Sequence, residues 1–337
     1  MQQLVMKRAG ELGWQEVAPP TLNSPQAAIV RPIAVGVCDF DRALVQGRIH
    51  LPGPVALGHE IVAEVIETGA DVASVSVGMQ VVLPLHISCG TCGECGHGRT
   101  NCCSSRPLLA NYGLGPAGGD WGGGMSDRLL VPFADGMLVP VPAGVSAIDC
   151  AAVGCNLVDT YRTIAPFLAN YDRPSVLVLS GVAINMSLYA IAAAKALGVE
   201  DLILASDTPQ HRAWAEQMGA RALAYADLGD RSFSILSDNS GSPAMLTEGL
   251  KHVAPGGVCT TTTPYFQGFE MPVHTLFAKN ITYFTGQPHA RALMDQVLER
   301  IDKGLIGTTR IPHEVLPWER ALEAFGRGEK KRIFVRS

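Results

Sequence analysis

The sequence predicts an α/β protein in which a doubly wound parallel sheet is joined to a β-rich domain. Two observations lead there. From about residue 174 strand-like and helix-like runs alternate, whereas the first third is made of short apolar runs broken by Gly and Pro. A length of 337 residues exceeds one ordinary core and suits two domains.

Taken in order, AAIVRPIAVGV, EIVAEVIETG and MQVVLPL within residues 27–84 read as strands of the β-rich part. Residues 104–126, with seven glycines, read as an irregular loop. SVLVLS (175–180) is expected as a buried strand, and SLYAIAAAKALG (187–198) as a helix stopped by Gly198. DLILAS (201–206) follows as a second strand, and PQHRAWAEQMGA (209–220) as a helix with its stop at Gly219. This β-α-β-α order requires parallel strands covered by helices. Further strands are expected near FSILS, GGVCTTTT and NITYFTG. The tail predicts helices at ARALMDQVLERIDKG and WERALEAFGRG and a last strand at KRIFVRS.

Hydrophobic residues make up 47% and charged residues 17%, which excludes a disordered chain. The net charge of −5, with no Lys/Arg run, argues against nucleic-acid or membrane-surface partners. No apolar stretch is long enough to span a bilayer, and MQQLVMKRAGELGW lacks the apolar core of a signal peptide. A cytoplasmic protein is therefore expected.

Five of nine cysteines fall within residues 89–103. Cys89, Cys92, Cys95 and Cys103 form C-x2-C-x2-C-x7-C, and Gly90, Gly93 and Gly96 supply tight turns that let thiolates converge. Tetrahedral zinc takes four such ligands at about 2.3 Å, and a four-cysteine site is closed and structural. Spacing alone leaves Cys102 as an alternative to Cys103. A catalytic zinc keeps three protein ligands and one open position. Cys38 and the triplet Gly58-His59-Glu60 are candidates, although a lone Cys or His is more often a core residue.

The run GVC-x2-D (36–41), then GHE (58–60), then the four-cysteine loop, then GCNLVDTYR (154–162) resembles the zinc-containing medium-chain dehydrogenase/reductase family, the alcohol dehydrogenase superfamily. The resemblance covers nearly the whole chain. It implies a β-rich GroES-like catalytic domain at 1–154, completed by 287–337, and a Rossmann dinucleotide-binding domain at 155–286. It also implies that Cys38, His59 and Cys155 ligate a catalytic zinc. Glu60 would sit beside that ion and be able to enter its shell, and Asp41 would orient the ligand histidine, fixing its tautomer. Two zinc ions per subunit follow.

Phe40 departs from the family pattern. Dehydrogenating members usually carry Ser or Thr there to accept the alcohol proton, which Phe cannot do. Asp159, four residues after Cys155, is a candidate replacement. A carboxylate satisfying helix N–H groups is an equally good account of it.

The glycine-rich turn expected before a dinucleotide-binding helix reads SGVAINMS (180–187). Gly181 alone survives of three glycines, with Ile184, Asn185 and Met186 completing the candidate cofactor contacts. Counting back from Gly219, the position that bonds the adenosine ribose falls on Ser206, followed by Asp207. Asp207 would repel the extra phosphate of NADP and Arg212 could offset it, so NAD is favoured with NADP not excluded. Ser240 in SDNSG and Thr261 in CTTTTP mark strand ends of the kind that line the cofactor crevice.

The expected function is zinc-dependent, NAD(P)-linked interconversion of an alcohol and an aldehyde or ketone, with a small-molecule alcohol or carbonyl as partner. A homo-oligomer, dimer or tetramer, is the expected assembly. The alternatives are a reductase of a conjugated C=C bond, which would suit Phe40, and a non-catalytic zinc-stabilised dinucleotide-binding protein.

Overall fold

In the computed structural model, which describes residues 1–115 and 118–336, the chain separates into two units. One comprises Met1–Val158 with Pro288–Ser337, and the other Asp159–Gln287. The first break thus falls four residues later than the sequence suggests, which leaves Cys155 in the same unit as Cys38 and His59.

The first unit holds strands β1 (Gln2–Arg8), β2 (Glu11–Glu16), β3 (Ala28–Gly36), β4 (Val55–Ala56), β5 (Glu60–Thr68), β6 (Gln80–Leu83), β7 (Leu129–Val131) and β8 (Val139–Pro140). The second holds β9 (Ser175–Ser180), β10 (Asp201–Ala205), β11 (Arg221–Leu223), β12 (Phe233–Asn239), β13 (Val253–Thr261) and β14 (Thr282–Thr285). The tail returns β15 (His313–Pro317) and β16 (Lys331–Val335) to the first unit.

In the first unit the larger sheet runs β15-β16-β3-β5-β6-β8, with β7 also on β3. Its β3–β5 pairing is antiparallel and places Gly36 opposite Glu60. That register brings the end of β3, which leads to Cys38, beside the start of β5, which carries His59. Apolar residues at every second position of β5 and β6, among them Ile61, Ala63, Val65, Val81 and Leu83, bury into one core. The amino terminus, read above only for targeting, forms the hairpin β1–β2, extended by β4.

The second unit is a six-stranded parallel sheet in the order β11-β10-β9-β12-β13-β14. Order reverses beside β9, the arrangement of a doubly wound nucleotide-binding sheet. Val176 to Leu179 are fully buried, as a central parallel strand demands. The helix Ile184–Ala196 begins three residues earlier than the sequence suggests. Its residues 184–194 are all buried, so its start carries no polar face that would mark it.

The tail helix at Ala290–Asp302 is present. WERALEAFGRG instead gives a 3-10 turn, Trp318–Arg320, and one short helix, Ala321–Ala324, because Phe325 leaves helical geometry ahead of two glycines. Residues 116 and 117 of the expected glycine-rich loop, and the last residue of KRIFVRS, lie outside the described residues. Among the described residues no helix is long and apolar enough to cross a membrane.

Candidate metal centres and cofactor crevice

Cys38, His59 and Cys155 come together in the first unit, each offering one donor atom, all within 4.8 Å of one another and all buried. Each arrives by a local device. Cys38 caps the helix Asp39–Val45, its Sγ accepting from the Phe40 N–H at 3.4 Å. Asp41 completes that cap by accepting the Cys38 N–H on Oδ2 at 3.0 Å. The other carboxylate oxygen of Asp41 faces His59 Nδ1 at 3.4 Å, longer than a full hydrogen bond, and neither atom has another polar partner. One carboxylate thereby steadies two of the three donors. With Nδ1 turned to Asp41, the remaining ring nitrogen of His59 faces the thiols.

Cys155 sits in a π-helical turn, Val153–Leu157. Such turns recur at functional sites. Gly154 lets this turn press on the end of β6, for a Cβ there would stand 2.1 Å from the Leu83 carbonyl oxygen.

Neighbouring groups shift two of these donors in opposite directions. A hydrogen bond from Cys155 outweighs burial and, helped by His59 and Lys331, holds the Cys38 thiol well below its ordinary pKa. Burial opposes protonation of His59, but Asp41 and Cys38 outweigh it and keep the imidazole pKa well above the usual value. Two thiols and one imidazole with this spacing are a donor set that fits zinc and leaves one position open.

Glu60 is not among the converging donors. Its carboxylate is committed elsewhere: Oε1 accepts the Asn156 N–H at 3.1 Å and Oε2 pairs with Lys331. Burial pushes its pKa up to about 7 against the lowering pull of Lys331. Lys331 and Asn156, both fully buried beside these donors, were not singled out by the sequence reading. A signal existed for Lys331, since it stands in phase with Ile333 on β16, an apolar position, and a lysine in that phase needs a buried partner.

Phe40 is half-buried against an apolar cluster that includes Leu44, Trp318 and Phe334. Asp39, next to Cys38, is buried and paired with Arg42 at 2.6 Å.

Cys89, Cys92, Cys95 and Cys103 form the second converging set. Cys103 Sγ accepts the Cys89 N–H at 3.3 Å, and Cys89 Sγ accepts the Cys92 N–H at 3.3 Å. N–H donation at Cys95 and the Ser104 hydroxyl hold the Cys92 pKa at about 5. Burial would raise Cys89, but the Ser105 hydroxyl and neighbouring N–H groups bring it to about 7. Burial, with the neighbouring thiols adding to it, raises Cys95 and Cys103 instead, so two of the four thiols are predisposed to the thiolate that zinc takes. Cys102 is exposed, with its Sγ directed to Asn101 Oδ1 at 3.2 Å. Cys103→Ser is therefore expected to cost one metal ion per chain and to expose this loop to limited proteolysis, whereas Cys102→Ser leaves both unchanged. Metal content by mass spectrometry reads the difference.

In the second unit Gly181 lies where β9 gives way to its helix. A Cβ there would stand 2.2 Å from the Ser240 carbonyl oxygen, so this surviving glycine is needed for chain approach. Ser187, in place of the packing glycine, is fully buried and its hydroxyl donates to the Ala183 carbonyl at 3.2 Å. Ile184, Asn185 and Met186 form the first helical turn and are buried. Ala183, at the start of this helix, offers no side-chain cap.

Ser206 is buried, with its Oγ accepting the Thr208 N–H at 3.3 Å and lying 3.3 Å from His211 Nδ1. Asp207 is exposed and accepts the Tyr225 N–H at 3.2 Å. Arg212 donates to the Ser206 carbonyl at 2.6 Å. Thr261 Oγ1 accepts the Thr263 N–H at 3.1 Å. Ser240 donates its N–H and hydroxyl to Asp238 Oδ1, at 3.0 and 2.6 Å. Asp238, unremarked in the sequence, is fully buried at the end of β12, also accepts the Tyr265 hydroxyl at 2.6 Å, and has its pKa raised by that burial.

Asp159 forms an ion pair with Arg162 at 2.6 Å, and Arg162 in turn donates to the carbonyls of Thr261 and Gly286. This pairing gives the Asp159 carboxylate a structural partner within its own helix.

Residues 24–143 match the family model of the alcohol dehydrogenase GroES-like domain. A glutathione-independent formaldehyde dehydrogenase of Pseudomonas aeruginosa is 30% identical over 221 residues, which are 62% of this chain and 55% of that protein. The match thus spans about half the length of that relative. A Mycobacterium tuberculosis protein named “Probable zinc-binding alcohol dehydrogenase” is 24% identical over 350 residues, covering 100% of this chain and 88% of the relative. The solved alcohol dehydrogenase TADH from Thermus sp. ATN1 is 27% identical, with a TM-score of 0.88 over 100% of both chains. Full-length likeness in fold, a matched GroES-like region and thiol-rich clusters at the expected places agree, and the chain belongs to the zinc-containing medium-chain dehydrogenase/reductase superfamily, that of the alcohol dehydrogenases.

Proposed function

We propose that this protein is a zinc-dependent, NAD-linked oxidoreductase that interconverts an alcohol and an aldehyde or ketone, holding two zinc ions per chain. The observation that carries this is the convergence of Cys38, His59 and Cys155 within 4.8 Å. Bound zinc supplies Lewis-acid polarisation of the substrate oxygen, and the nicotinamide accepts or donates the hydride. The protein's own part is to hold and to exclude. With a zinc ion bound, two thiolates and a neutral imidazole would leave no net charge; Asp41 would keep the imidazole oriented, and Lys331 holds the Glu60 carboxylate in an ion pair. The four-cysteine loop would take the second, structural ion.

NAD is favoured by the ribose end of the crevice. Asp207 is an exposed carboxylate there that accepts the Tyr225 N–H, and Arg212 is engaged on the Ser206 carbonyl. Asp207→Ala is expected to raise kcat/KM for NADP relative to NAD by about tenfold, the effect of removing one repulsive charge worth ~1.4 kcal/mol near the surface. Steady-state kinetics with both dinucleotides check it.

Phe40, packed among apolar side chains, favours a second reading in which a conjugated C=C bond is reduced, because no alcohol proton need then be relayed. Incubation with NAD, NADP and a panel of alcohols, followed at the absorbance of reduced nicotinamide, tests the first reading. Product analysis with enals and the reduced cofactors tests the second. An edge strand, β14, with Phe284 partly exposed, supports assembly into a dimer or tetramer.

A further inference from the structure

The side chain of Asn156 lies between two buried groups of opposite demand. Its Nδ2 donates to Cys38 Sγ at 3.1 Å and lies 3.8 Å from Cys155 Sγ. Its Oδ1 accepts from Lys331 Nζ at 2.8 Å. Lys331 also donates to the Val37 carbonyl at 3.0 Å and pairs with Glu60, and that carboxylate accepts the Asn156 N–H. A primary amide can face either way, and here the chemistry of its neighbours decides. An ammonium only donates, so it takes the amide oxygen and leaves the NH2 for the sulfur.

We propose that Asn156 is a positioning residue that tunes the proposed catalytic zinc: its N–H···S bond to Cys38 withdraws electron density from the thiolate and leaves the ion a stronger Lewis acid. The inference rests on Cys38, His59 and Cys155 being the zinc ligands. A hydrogen bond to a ligating atom lowers that atom's basicity, and outer-shell partners of this kind set the charge a metal retains. Donation to an ionised acceptor is the stronger class of hydrogen bond, and burial strengthens it further. Lys331 is what makes the effect dependable, because it fixes the amide in the donating orientation.

The test uses the full chain loaded with cobalt(II). The absorbance lost in Cys38→Ser defines the sulfur-to-cobalt charge-transfer band of this site and cancels that of the four-cysteine loop. In Asn156→Leu and Asn156→Asp the band is expected to move to longer wavelength, since a thiolate without the bond holds its electrons less tightly. Cobalt is also expected to leave at a higher pH on acidification, because the thiolate is then more basic. A band at the wild-type wavelength in metal-loaded variants overturns the proposal. If Asn156→Leu fails to fold, Asn156→Asp keeps the shape and the Lys331 contact and carries the test. Should Cys38→Ser lose neither metal nor charge-transfer absorbance, the ligand assignment itself fails, an outcome distinct from an unmoved band.

Discussion

Cys155→Ala is expected to reduce NAD-linked turnover by about three orders of magnitude or more. The metal is asked for several kcal/mol of transition-state stabilisation, and each ~1.4 kcal/mol is tenfold in rate. The fold should survive, because among the described residues neither the four-cysteine set nor the strand pairings use this thiol, and Ala fills a small buried position. Circular dichroism and binding of NAD should match the wild type while kcat collapses, since the proposed dinucleotide turn at Gly181 lies in the second unit. Retention of even a tenth of the turnover would show that the three converging donors do not hold the reacting centre.

Lys331→Met should have the largest effect on stability. Its ammonium and the Glu60 carboxylate are both completely removed from solvent. Deleting one partner of such a pair leaves an uncompensated buried charge and costs about 3–5 kcal/mol. The companion change Glu60→Gln in the same chain should recover much of the loss, because the buried charge is then gone as well. Denaturant unfolding of the wild type, the single variant and the double variant reads this directly. Equal destabilisation by the single and double changes would mean that Lys331 acts through packing alone.

The two cases differ in what the sequence disclosed. The four-cysteine loop was legible because ligand chemistry demands particular residue types at particular spacings, whereas Cys38 and His59 were picked out as ligands only by the family resemblance. The β-α rhythm from residue 174 was legible because a parallel sheet must be crossed by helices. Lys331 was hidden among Lys330, Lys331 and Arg332, and only the strand phase, with a buried Ile333 two residues on, distinguishes it. Asn156 is an ordinary polar residue until Lys331 and Cys38 are brought to either side of it, which requires contacts across 175 and 118 residues of sequence. Asp159 is a different case. Its place after Cys155 suggested proton transfer, and the same helical turn also pairs it with Arg162, a partner the sequence reading did not name. The hairpin β1–β2 was passed over because its buried residues Leu4, Val5 and Met6 are consecutive and show no alternation.

The central claim is an ion held by two sulfurs and one nitrogen from distant parts of the chain, separate from the cysteine loop. Native mass spectrometry of gently purified protein tests it most directly, by counting zinc in the wild type and in His59→Ala. The account predicts two ions per chain in the first and one in the second. A single ion in both would contradict it.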